Sequence, residues 1–229
     1  MADEPRGAII QRDRETHAIV PRTPAGIVSP EDLEHISTVA RRYSIPVIKI
    51  TSGQRMALVG IKKEEVEKIW NKLGMTVGEA TAPCVHYVQA CPGTAVCTYG
   101  NQDSLTLGLE LEEMYQDMNL PAKLKMGISE CPRCCGGSFL RDIGVMGNAR
   151  GWTVIFGGNS GGRPRIGDVM AKNLPANDAK DLVRRLLEYY RKNGKPRERT
   201  ARFVERVGLD AIKKDVLAFA PYIPVEDIH

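Results

Sequence analysis

The chain has 229 residues, with 32 Lys+Arg against 28 Asp+Glu, a formal charge of +4, and 42% apolar residues. This length buries a full core as one compact unit or two small domains, and the composition excludes a disordered or fibrous class. The charge is too mild to argue for nucleic acid. The opening MADEPRGAIIQRDRETH is charged where a signal peptide needs an apolar core, and no later apolar run spans a bilayer, so a cytoplasmic protein with no membrane partner is expected.

In chain order, HAIV (17–20) reads as a short strand. Ser29-Pro30-Glu31-Asp32 then supplies an N-cap, a proline at the first helical position and acids in the first turn. The helix that follows should present Leu33, Ile36, Val39, Ala40 and Tyr43 on one apolar face. PVIKIT (46–51) and RMALVG (55–60) form a predicted hairpin around Ser52-Gly53-Gln54. A second helix carries Val66, Ile69, Trp70 and Leu73 and stops at Gly74, which suits a left-handed cap. The order strand-helix-strand-strand-helix is that of a ferredoxin-like fold, a pattern that does not imply a cluster. Residues 1–78 are expected to be this domain, residues 78–83 a linker, and residues 79–229 a second, α/β domain, giving an α+β chain overall.

Beyond the linker, helical pattern is expected near 103–118 and 178–193, with strands LKMGI (124–128) and WTVIF (152–156), the latter emptying into GGNSGGRPRIG (157–167). Arg197, Arg199 and Arg202 fall in a basic stretch that reads as a solvated face.

All six cysteines, Cys84, Cys91, Cys97, Cys131, Cys134 and Cys135, lie between positions 84 and 135. In a reducing compartment such crowding points to metal or redox chemistry rather than disulfides. Cys91 and Cys97 are separated by five residues and Cys131 and Cys135 by three. Two loops giving two thiolates each, with Gly and Pro setting the turns, suit an iron-sulfur cluster. The five-residue gap fits structural zinc poorly. Cys131 pairs equally well with Cys134 or Cys135, and only one of those adjacent thiols is needed. Cys84 reads as a packed thiol.

CPGTAVC (91–97) and CPRCCG (131–136), with KITSGQRMALVGI (49–61), LPAKLK (120–125) and FGGNSGGRPRIGD (156–168), together resemble the siroheme and [4Fe-4S] sulfite and nitrite reductase family. The likeness covers nearly the whole chain and is greatest to the small assimilatory-type sulfite reductases, each built as one half of the duplicated larger enzymes. It implies a ferredoxin-like domain packed on a siroheme and cluster domain. It implies a [4Fe-4S] cluster held by Cys91, Cys97, Cys131 and Cys135, with Cys135 also bridging to the siroheme iron. Lys123 and Lys125, alternating along a strand, match the family's lysine pair and would clamp the anion and donate protons as sulfite is reduced. Gly158, Asn159, Arg163 and Arg165 would cradle siroheme carboxylates, joined by Thr51 and Gln54.

The sequence departs from the larger enzymes at two positions. Gly53 stands where they usually place a substrate-contacting arginine, leaving Arg55 as the candidate, and His86 stands where a second arginine is usual. A histidine is a weaker cation but can donate a proton near neutral pH. The expected activity is six-electron reduction of sulfite to sulfide, with nitrite reduction and a non-catalytic electron carrier as alternatives. Electrons are expected from an external donor such as ferredoxin, since no flavin or nicotinamide motif is visible. A homodimer in which two copies complete each other's sites is also expected from the duplication; a monomeric mass with full activity excludes it.

Overall fold

The computed structural model describes residues 4–79 and 81–218. Two compact units are present, Met1–Ala82 and Pro83–His229. The first contains β1 (Ala8–Ile10), β2 (Thr16–Ile19), α1 (Pro30–Arg42), β3 (Val47–Ile50), β4 (Met56–Lys62) and α2 (Val66–Leu73). Its sheet runs β1-β2-β4-β3, with every neighbouring pair antiparallel. Strands β2 and β3 are therefore parallel and need the α1 crossover between them. This is the expected ferredoxin-like order with β1 added at an edge.

α1 begins with a reciprocal cap: the Asp32 N–H donates to Ser29 Oγ, and the Ser29 N–H donates to the Asp32 carboxylate, both at 3.0 Å. Its buried stripe is Ile36, Val39 and Ala40, which with α2 residues Val66, Ile69, Trp70 and Leu73 covers Ile19, Leu58 and Ile61 of the sheet. Leu33 corrects the expected apolar face. At 47% exposed it lies in the first turn, outside the stripe that the sheet covers. α2 ends at Gly74 in the left-handed region, φ 61°.

The second unit contains β5 (Val85–Ala90), α3 (Ser104–Tyr115), β6 (Leu124–Ser129), β7 (Ile143–Asn148), β8 (Gly151–Phe156), β9 (Asp168–Leu174), α4 (Ala176–Asn193), α5 (Thr200–Val207) and α6 (Leu209–Leu217). Its sheet keeps chain order from β5 to β9, parallel as far as β7 and antiparallel beyond. α3 packs on β5 and β6, and α4 on β8 and β9.

Period-two alternation splits the parallel part of this sheet into unlike faces. Leu124, Met126 and Ile128 share one face with Val88, Ile143 and Val145, all buried. Lys125 and Gly127 share the other with Tyr87, Gln89 and Gly144. That second face is polar and stripped of side chains at its centre, and the site is built on it. Among the described residues no helix is long and apolar enough to cross a membrane.

Candidate active site at the cysteine and glycine loops

The first cysteine loop continues from β5. The Cys91 N–H donates to Ile128 O at 3.1 Å, and a short turn over Gly93–Ala95 lets the Cys97 N–H reach Gly93 O at 2.9 Å. Cys91 is buried. Its Sγ accepts the Glu130 N–H at 3.2 Å and lies 3.2 Å from Ser104 Oγ, which donates to Cys91 O. Cys97 is half-exposed, and hydrogen bonding to the buried Glu130 carboxylate pushes its thiol up from the ordinary value.

The second loop folds back over the polar face. The Gly136 N–H donates to Ser129 Oγ at 3.0 Å, Ser129 and Ser138 hydroxyls meet at 2.8 Å, and Ser138 Oγ donates to Val145 O at 2.9 Å. Such close approach requires glycine. A Cβ on Gly136 would stand 2.0 Å from Ile128 O, and one on Gly144 1.9 Å from Ser138 O. Cys134 adopts a left-handed φ of 58°, bonded to Cys131 O through its N–H, and Cys135 is carried outward. Cys131 is therefore buried, Cys134 half-buried and Cys135 exposed, while Cys84 is buried at the start of β5 as expected for a packed thiol.

Arg133 in the second loop lies 3.8 Å from the ring centre of Tyr99, two residues beyond Cys97, so a cation-π contact joins the loops. Among the described residues no three His, Cys, Asp or Glu side chains gather as a chelate for one metal ion. The four cysteines are distributed over two adjoining loops, a donor set that suits a multi-iron cluster with one thiolate per iron.

Four cations collect beside this loop. Lys123 is exposed one residue before β6, and Lys125 is half-buried with its Nζ 5.7 Å from the Tyr87 ring centre. Burial lowers the Lys125 pKa below its usual value, helped by the charges of Arg199, Lys123 and Arg141 and opposed by Asp142. Arg199 corrects the reading of its segment as a solvated face. It donates to the buried Asp142 carboxylate at 2.6 and 3.1 Å, and Asp142 also accepts the Thr200 hydroxyl and the Lys125 N–H. Asp142 thus ties the α5 start to the lysine strand. Its signal in sequence is absent, because its partners are distant in the chain.

The glycine loop is a small closed turn. Asn159 and Arg165 exchange backbone hydrogen bonds at 2.8 and 2.9 Å, and Asn159 Nδ2 donates to Arg163 O at 2.7 Å. Gly158 has no room for a side chain, since a Cβ would meet Phe139 O at 2.4 Å and Arg141 O at 2.5 Å. Arg165 is turned into the loop, paired with Asp168 at 2.5 Å and donating to Gly157 O at 3.1 Å. Arg163 is exposed, with Glu205 at 3.7 Å. Together with Asn159, Arg199, Arg202 and Glu205 it lines an open depression of about 360 Å³. Of the expected cradle, Arg163 and Asn159 face ligand-accessible space, whereas Arg165 braces the loop.

His86 is buried at a bulge between Val85 and Tyr87. In the first unit, Thr51, Gln54 and Arg55 form the predicted hairpin turn: the Thr51 N–H donates to Arg55 O at 2.8 Å, Gln54 has a left-handed φ of 59°, and Arg55 is buried.

A thiol-lined loop pair beside a cationic face is a donor set suited to a redox protein of iron-sulfur type. Residues 81–220 match the nitrite and sulphite reductase 4Fe-4S domain, and residues 9–75 the nitrite/sulfite reductase ferredoxin-like half domain, so the chain belongs to the nitrite and sulfite reductase family of oxidoreductases. It is 58% identical over 217 residues to an assimilatory-type sulfite reductase of Nitratidesulfovibrio vulgaris, covering 95% of this chain and all of that one. It is also 39% identical to an NAD(P)H nitrite reductase of Bacillus subtilis, covering 90% of this chain but 26% of the relative. Its fold resembles dissimilatory sulfite reductase I, with a TM-score of 0.78 at 16% identity over 93% of this chain and 72% of that one. The Mycobacterium tuberculosis NirA protein has the same fold, with a TM-score of 0.77 at 18% identity over 91% of this chain and 41% of that one.

Proposed function

We propose that the chain reduces sulfite to sulfide, holding a [4Fe-4S] cluster through Cys91, Cys97, Cys131 and Cys135 and a siroheme beside it. The observation that carries this reading is the placement of the exposed Cys135 on a loop that covers the same sheet face as Lys125. Cys135 is the thiol free to bridge outward, while the buried Cys91 and Cys131 anchor the cluster. When bound, the cluster and siroheme would relay electrons from the external donor to the anion.

The chain's own groups supply the rest. Lys125 and Lys123 attract the oxyanion, and their ammonium protons are available to oxygens leaving as water. A depressed pKa makes Lys125 a better acid than an ordinary lysine. Asn159, Gly158 and Arg163 are assigned to siroheme carboxylates, with Arg165 fixing the shape of their loop. His86, Thr51, Gln54 and Arg55 keep the roles that family resemblance gives them. Electrons enter from an external carrier protein.

Nitrite reduction is the second reading, favoured by the nitrite reductases among the relatives. A pure electron carrier has no use for cations gathered in this way. The test is an absorption spectrum with iron and labile-sulfide analysis on anaerobically purified protein, followed by turnover of sulfite and nitrite with a reduced dye. A haem-like Soret band, iron in excess of sulfide and faster sulfite turnover support the proposal. A protein without tetrapyrrole, or one that reduces neither anion, contradicts it.

A further inference from the structure

Six of the twelve arginines of the second unit face carboxylates: Arg163 faces Glu205, Arg165 Asp168, Arg199 Asp142, Arg206 Glu198, and Arg184 and Arg185 Asp181. Arg141 is different from the other arginines without such a pair, Arg133, Arg150, Arg191, Arg197 and Arg202, because they are exposed and it is half-buried. It follows the turn that ends the second cysteine loop, and among the described residues no carboxylate stands within ion-pair range of it. Its Nη2 donates to Gln89 Oε1 at 2.7 Å, while Nη1 has only long contacts, to Ser160 Oγ at 3.3 Å and Leu140 O at 3.4 Å. Its Nε is buried without an acceptor.

The position of this guanidinium is specific. Its Cγ lies over Gly127, where a Cβ would be 2.8 Å away, and its Cζ lies beside Gly137, 3.5 Å from where a Cβ would sit. It is thus held from β5 by Gln89 and from the glycine loop by Ser160, over the same strand and face as Lys125. Gln89 and Ser160 are neutral acceptors. They orient the guanidinium without cancelling its charge, and the adjacent carboxylate, Asp142, is already taken by Arg199, Thr200 and the Lys125 N–H. A half-buried charge oriented in this way but uncompensated is incomplete without an anion.

We propose that Arg141 is an anion-holding residue of this site, pairing with a small oxyanion or with a carboxylate of the bound tetrapyrrole. The identity of the anion rests on the function proposed above; the anion binding itself does not. Calorimetric titration of the purified holoprotein with sulfite, alongside tetrapyrrole and iron content per chain, tests it in wild type, R141Q and R141K. If the anion is substrate, R141Q keeps both cofactors and binds sulfite about ten-fold more weakly or worse, and R141K, which keeps charge but not the planar fork, falls between. If the anion is a cofactor carboxylate, R141Q loses tetrapyrrole while cluster iron and labile sulfide remain. Sulfite affinity and tetrapyrrole content both unchanged in R141Q overturn the proposal, and should R141Q fail to fold, the same result in R141K does so. A wild-type protein without tetrapyrrole defeats the proposed function, yet its sulfite titration against R141Q still decides the role of Arg141.

Discussion

The two cysteine loops are built on different principles. In the first, the chain extends β5, and the buried Cys91 sulfur is itself engaged by the Glu130 N–H and Ser104. In the second, the engaged groups are backbone and serine hydroxyls, Cys131 is buried, and Cys135 is left in the open. One loop is anchored through its buried thiol and the other through the glycines and serines around its cysteines. Under the proposed function, this arrangement leaves the exposed Cys135 open to a second partner.

The sharpest way to break this difference is Gly144→Ala. The new Cβ would meet Ser138 O at 1.9 Å, backbone that cannot move without lifting the second loop from the sheet. Destabilisation of about 4 kcal/mol or more in urea unfolding is expected, with loss of cluster iron. Asp142→Ala comes next. It leaves Arg199 and Thr200 without their buried acceptor and detaches α5 from the lysine strand, at a cost of about 3 kcal/mol measured the same way, with cluster content retained.

A smaller effect concerns Lys125. Because its folded-state pKa lies below 10.5, the unfolded chain binds one more proton than the folded chain between those two values. Stability should therefore rise with pH across that window, and Lys125→Met should remove that rise. Denaturation midpoints at several alkaline pH values check this, and an unchanged slope in the variant would reject the assignment. The same variant should lose about 100-fold in sulfite turnover.

Much of this was legible in the sequence because its signals are local. The α1 cap, the Gly74 stop, the hairpin turn at Gln54 and the clustered cysteines all lie within a few residues of what they control. β7 was not legible, since Gly144 and Gly147 interrupt its apolar pattern, and three-residue β1 is too short to show a period. Arg141 and the Asp142–Arg199 pair were invisible for another reason. Asp142 and Arg199 are 57 positions apart, and Gln89 is 52 from Arg141, so nothing in a basic or glycine-rich stretch reveals which guanidinium is paired and which is not.

Under the proposed function Cys135, and not the adjacent Cys134, joins the cluster to the siroheme. Mössbauer spectra of anaerobically purified Cys135→Ser and Cys134→Ser proteins address it directly. Magnetic coupling between the two iron centres is expected to disappear in Cys135→Ser and to persist in Cys134→Ser. Coupling lost in Cys134→Ser and kept in Cys135→Ser would contradict it and transfer the bridging role to the half-buried thiol.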